Sequence, residues 1–123
     1  MTKFYLNWKI EDNFYRAERG TRPVVFSGML KYETEEPIKL IKIIVCPVNG
    51  ADELVGEAGF LSFAGCFDGV GYIRDIRKER DWLFLYDEDT AKWNIDIIAA
   101  FTGGDTQVFN VNDAGFEPPH QQK

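Results

Sequence analysis

His120, between Pro119 and Gln121, is the only histidine in the chain. General acid–base chemistry near neutral pH relies on imidazole more often than on any other side chain. A Ser-His-Asp or Cys-His arrangement would need this residue folded back from the end of the chain into a cleft. Cys46 and Cys66 lie twenty residues apart. Two thiols and one distant imidazole do not make the four ligands of a zinc site. Each cysteine has an apolar neighbour, Val45 or Phe67. Free cysteine behaves as a small hydrophobe, so both are expected to be buried, reduced thiols.

Carboxylates remain as candidate chemistry. A glycosidase-type pair needs only two Asp or Glu side chains at the right separation, and Glu57, Asp68, Asp75 and Asp96 are candidates on separate segments. Any acidic β-rich chain offers such pairs, so the pattern carries little weight. Asp87-Glu88-Asp89 resembles a cation loop in composition but not in spacing. Calcium takes six to eight oxygens, and an EF-hand loop needs spaced ligands around a central glycine and ending in glutamate. The stretch Gly56–Gly71 holds five glycines in sixteen residues. It lacks the Gly-Lys-Ser/Thr ending of a phosphate-binding loop, and turns or bulges account for it better. The expectation is a protein that is not an enzyme and holds neither cofactor nor metal.

Charge is the most uneven property of the sequence. Residues 81–119 contain eight carboxylates (Asp81, Asp87, Glu88, Asp89, Asp96, Asp105, Asp113, Glu117) against Lys92 alone. Residues 1–80 carry twelve acidic and twelve basic residues, and Lys123 lies beyond, so the segments give 0 − 7 + 1 = −6, the whole-chain charge. Concentrated charge creates a field that selects partners of opposite sign. Arg74, Arg77, Lys78 and Arg80 form the one basic cluster, but Asp75, Glu79 and Asp81 interleave with it. With an isoelectric point near 4.8, binding to a phosphate backbone is disfavoured.

These residues must be positioned by strands. Aromatics make up 15 % of the chain, with ten Phe, five Tyr and three Trp, and bulky rings favour the pleated surface of a sheet. Lys3 to Ile10 alternates, with Phe4, Leu6, Trp8 and Ile10 on one side, which predicts a half-buried strand. Phe14–Arg19 reads as a short strand or a turn or two of helix. Pro23–Tyr32 and Ile38–Val45 read as two strands joined by a charged connection, Glu33–Pro37. Pro47, Asn49 and Gly50 end the second. Asp68-Gly69 between Phe60–Phe67 and Val70–Ile76 predicts a hairpin turn. Trp82–Tyr86, Lys92–Phe101 and Thr106–Val111 predict a meander with turns at Asp87–Ala91 and Thr102–Asp105. In its middle strand Trp93, Ile95, Ile97, Ala99 and Phe101 share one face.

The predicted class is mainly β, a single-domain antiparallel sandwich or barrel of about eight short strands with at most one short helix. Residues 1–111 form the domain, and 112–123, with Pro118-Pro119, a loose C-terminal tail. Neither a signal peptide nor an apolar run of about 20 residues occurs, so a cytoplasmic protein without membrane contact is expected.

The function expected from these features is non-catalytic binding of a basic protein partner, with no direct contact to nucleic acid. Nucleases and other nucleic-acid-handling proteins are natural cationic targets, because their clefts must attract phosphate. In size, charge and missing catalytic groups the chain resembles bacterial immunity proteins that neutralise a toxin, or phage inhibitors of nucleic-acid-guided defences. No motif matches a single family, and no family residues carry over. The expected partner-binding residues are Asp87, Glu88 and Asp89 at a hairpin tip, with Trp93, Asp96 and Asp105. Trp93 lies four residues after Asp89 and three before Asp96, and an aromatic anchor inside a charged rim suits a binding hot spot. Two alternatives stand beside this one. The first is a β-barrel or sandwich holding a small ligand in an aromatic-lined cavity. The second is a structural or assembly subunit of a phage particle or secretion complex.

Overall fold

A computed structural model describes residues 2–12, 24–54, 58–80 and 92–111. They form five strands: β1 (Lys3–Asp12), β2 (Val24–Val48), β3 (Gly59–Arg80), β4 (Lys92–Phe101) and β5 (Thr106–Asn110). All pairings are antiparallel. No helix occurs among the described residues, and none there is long and apolar enough to cross a membrane. The mainly β class holds, in the form of one curled half-barrel sheet. Five strands stand in the described residues where about eight short ones were expected, because two predicted breaks are bends within long strands and the expected Phe14–Arg19 and Trp82–Tyr86 elements lie outside the described residues.

The first bend is in β2. Glu33–Pro37, expected as a connection, stays inside a strand of 25 residues. Thr34 is buried there, and its hydroxyl donates to the Glu36 carbonyl at 2.6 Å. Pro37 has no N–H to give a ladder, and the register with β3 shifts between Thr34 and Ile38. The second bend is in β3, 22 residues long, where Asp68-Gly69 was expected to reverse the chain. Gly69 does take a positive φ of 71°, but it pairs with Thr34 and the strand runs on across the β2 bend. A partner strand that continues on the same side supplies ladder hydrogen bonds that outweigh the local turn preference.

β3 follows one edge of β2 along both halves, so β1 and β4 share the other edge, one beyond the other. A bulge at Lys39 reverses which side chains point inward. Phe26 and Leu30 are buried before it, and Ile41, Ile43 and Val45 after it. The concave face collects Phe4, Leu6 and Trp8 from β1, these residues of β2, Leu61 and Ile76 from β3, and Ile95, Ile97, Ala99 and Phe101 from β4. The expected inward faces of β1 and β4 are therefore both present. Phe4 meets Phe109 edge-on at 5.0 Å between ring centroids, so β1 and β5 touch across the curl.

Gly28 allows β1 to lie against β2. A Cβ there would run into the Asn7 carbonyl oxygen and stand 3.0 Å from the Trp8 Cα. The β2–β3 connection is ordered by Asn49, whose Oδ1 accepts from the N–H groups of Ala51 (2.8 Å) and Glu53 (3.0 Å). The expected Phe14–Arg19 and Trp82–Tyr86 elements, the Asp87–Ala91 turn and the 112–123 tail lie outside the described residues.

Candidate functional site

The β2 bend is also where carboxylates gather. Glu35 and Glu36 are both exposed there, and a hydrogen bond and the charge of the amino terminus hold the Glu35 carboxyl below its usual pKa. The turn between β4 and β5 docks directly against it, with the Thr102 N–H donating to the Pro37 carbonyl at 3.0 Å. That turn closes on itself through hydrogen bonds from the Phe101 N–H to the Asp105 carbonyl (2.8 Å) and from the Gly104 N–H to the Phe101 carbonyl (3.0 Å). Asp105 is thereby fixed, exposed, beside the same bend. A side chain at Gly103 would meet Glu36 Oε2 at 3.1 Å, which shows how closely turn and bend approach. Asp68 comes to this bend from β3, between Phe67, which pairs with Ile38, and Gly69, which pairs with Thr34. Glu35, Glu36, Asp68 and Asp105 thus form an exposed acidic pole drawn from three separate segments. Lys39, exposed at the bulge, is the nearest cation along β2.

The remaining expected site residues divide. Asp87, Glu88 and Asp89 lie outside the described residues. Trp93 is half-buried on the concave side of the curled sheet, packed against the core cluster. Asp96 lies on the outer face of β4, half-buried, and accepts from Asn110 Nδ2 at 2.7 Å; the same amide reaches Asn94 Oδ1 at 2.8 Å. Asp96 faces Asn110 in the register, whereas Thr106, next to Asp105, faces Ala100. Asp96 and Asp105 are therefore about 16 Å apart along the hairpin at about 3.3 Å per residue. The described residues bring neither Trp93 nor Asp96 to the acidic pole; Asp105 belongs to it. Sequence reasoning did not find Glu35 and Glu36, and it took Asp68 only as a candidate for a carboxylate pair, because each lies in a region of balanced charge and only the fold joins them.

Asp96 has a neighbour of chemical interest in Cys46, which pairs with Asn94 on the same outer face. Burial, and then the Asp96 charge, raise the Cys46 thiol pKa. Cys66 is exposed, which corrects the expectation that both thiols are buried; its neighbour Phe67 turns inward while Cys66 turns out. No group of three or more His, Cys, Asp or Glu side chains able to hold a metal occurs among the described residues.

The outer face of β1–β3 has a different character. The Lys31 ammonium stands 5.5 Å from the Tyr5 ring centroid, and the Arg74 guanidinium 4.5 Å from that of Tyr72. Lys9 and Lys31 are each held by a carboxylate two residues on, Glu11 at 3.7 Å and Glu33 at 3.4 Å. An open hollow of about 400 Å³ lies where β3 bulges at Asp75, lined by Met29, Arg74, Asp75, Ile76 and Arg77 among others. Arg74 reaches Met29 Sδ at 3.6 Å. The basic cluster of the sequence is therefore spread along a strand and interleaved with stacking and ionic contacts.

The chain matches no protein-family model, no curated protein and no solved structure.

Proposed function

We propose that this chain is a non-catalytic binding protein that neutralises a basic protein partner, such as a toxin nuclease or a nucleic-acid-handling defence protein. The observation that carries this reading is the acidic pole. Carboxylates at Glu35, Glu36, Asp68 and Asp105 come from three segments and flank the middle of β2, around the hydrogen-bonded junction of its bend with the β4–β5 turn. The sequence's surplus of seven negative charges in residues 81–119, Asp105 among them, supports the same reading. Such a surface speeds encounter with a cationic cleft and repels acidic competitors. Asp87, Glu88 and Asp89 belong to this proposal as further carboxylates of the binding surface.

The experiment is capture of partners from a native lysate on immobilised protein, followed by association kinetics with the captured protein. The reading expects a basic partner whose association rate falls as salt rises. Reversal of the pole, Glu36→Lys with Asp105→Lys, should slow association, and Asp87→Lys/Glu88→Lys/Asp89→Lys tests the second group independently. A partner that binds both variants at the wild-type rate would rule the reading out. The small-ligand alternative has less support, because the concave face is filled by side chains such as Phe4, Phe26, Ile43 and Ile97.

A further inference from the structure

Among the described residues the outer edge of β3 carries charge over one half and none over the other, where the one irregularity lies at Gly65 and Cys66, opposite Lys39. An edge strand offers unpaired N–H and C=O groups to any other strand, and proteins block such edges with charge, proline or bulges. From Arg74 to Arg80 six of seven residues are charged, and Asp75 (φ 59°) sits in a bulge. From Gly59 to Phe67 there is no charged residue and no proline. Among the described residues β3 pairs only with β2. Phe60 is 52 % exposed there, and Ser62, Ala64, Gly65 and Cys66 are exposed as well.

The uncharged half is complementary to itself. In an antiparallel pairing about a two-fold axis perpendicular to the sheet, opposed residues share a face, as Phe60, Ser62, Ala64 and Cys66 do on the outside. With the axis at Phe63, Gly59 faces Phe67, Phe60 faces Cys66, Leu61 faces Gly65 and Ser62 faces Ala64. Each of these large side chains then lies over a small one, the arrangement in which an aromatic or aliphatic group covers a strand glycine. Moving the axis to Ala64 puts Asp68 opposite Phe60. Moving it to Ser62 sets Gly59 against Gly65 and Leu61 against Phe63. One register therefore excludes charge and sets large against small at every unlike-sized pair, leaving the single Phe63–Phe63 contact on the axis itself.

From this pattern we infer that two copies of the chain join through β3, with Gly59–Phe67 of each forming a nine-residue ladder that continues both sheets. The binding reading above does not depend on this pairing, and the pairing leaves the acidic pole of each copy in place.

Sedimentation velocity of the full chain tests it. The expected result is a dimer at tens of micromolar. Ser62→Lys with Ala64→Lys places like charges opposite each other twice across the axis and should weaken the dimer about tenfold or more. Ser62→Lys with Ala64→Glu places opposite charges there and should keep it. Both sites are exposed, so the fold is expected to survive. A second measurement fixes the register: Phe60→Cys should cross-link to Cys66 of the other copy under mild oxidation with diamide, giving a covalent dimer on a non-reducing gel. A monomer at these concentrations, a dimer indifferent to the lysine pair, or the absence of the cross-link would each overturn the proposal.

Discussion

Cys46 and Cys66 both belong to outer-facing positions, yet their surroundings differ. Cys46 lies against Asn94 and Asp96 in the middle of the sheet, and burial and the nearby carboxylate hold its thiol above the ordinary range. Thiolate is the reactive form. Alkylation of native protein followed by peptide mass spectrometry should therefore label Cys66 readily at neutral pH. Cys46 should label only as pH rises past the usual thiol value, or on unfolding. Equal labelling of both at neutral pH would contradict the placement of Cys46. Gly28 supplies a second test at this scale. Gly28→Ala pushes a methyl into the Asn7 backbone, which side-chain rotation cannot relieve. Overpacking of this kind costs about 2 kcal/mol or more, a fall in Tm of roughly 6–12 °C. Gly50→Ala, with nothing within 4 Å, should leave the melting curve where it was. Calorimetry of the two variants side by side checks the close approach of β1 to β2.

At the level of elements, the strands were legible where alternation was strict. Lys3–Ile10 and Trp93–Phe101 place their apolar residues inward as the pattern requires, and Thr102–Asp105 is the turn. The two long strands were not legible as such. Glu33–Pro37 and Asp68-Gly69 have the composition of turns, and only their position opposite each other in the ladder keeps both chains extended. The bulge at Lys39 was also invisible, because it shows only as a change of phase: Ile38 and Ile41, three apart, are both buried. A one-residue slip sends every following side chain to the other face. Deleting Lys39 removes that extra residue and leaves Ile38 and the Ile41–Val45 set on one face in plain alternation, so cooperative unfolding should survive. Deleting Lys42 should instead turn Ile41 or Ile43 and Val45 outward and abolish it, read by near-ultraviolet circular dichroism and thermal melts. Lys39→Ala keeps the residue count and should stay folded. A Lys42 deletion that melts like the wild type, or a Lys39 deletion that loses cooperative melting, would mean the bulge does not set the register.

For the whole molecule, charge and curvature act together. The sequence shows that negative charge accumulates after residue 80, but the fold draws Glu35, Glu36 and Asp68 from the balanced half to meet Asp105. Such a site was legible only in its last member, since carboxylates in mixed-charge stretches look solvated and unremarked until a bend docks a distant turn beside them. The same curl turns Trp93 towards the core and sets Asp96 beside Asn110, which removes two expected members from the pole. The central claim is that this pole recruits a basic partner. The most direct measurement is the association rate of the captured partner with wild-type protein and with Glu36→Lys/Asp105→Lys, at low and at high salt. The account expects the variant to associate about tenfold more slowly at low salt and the difference to shrink as salt screens the field. Equal association rates at low salt, with both proteins folded, would contradict it.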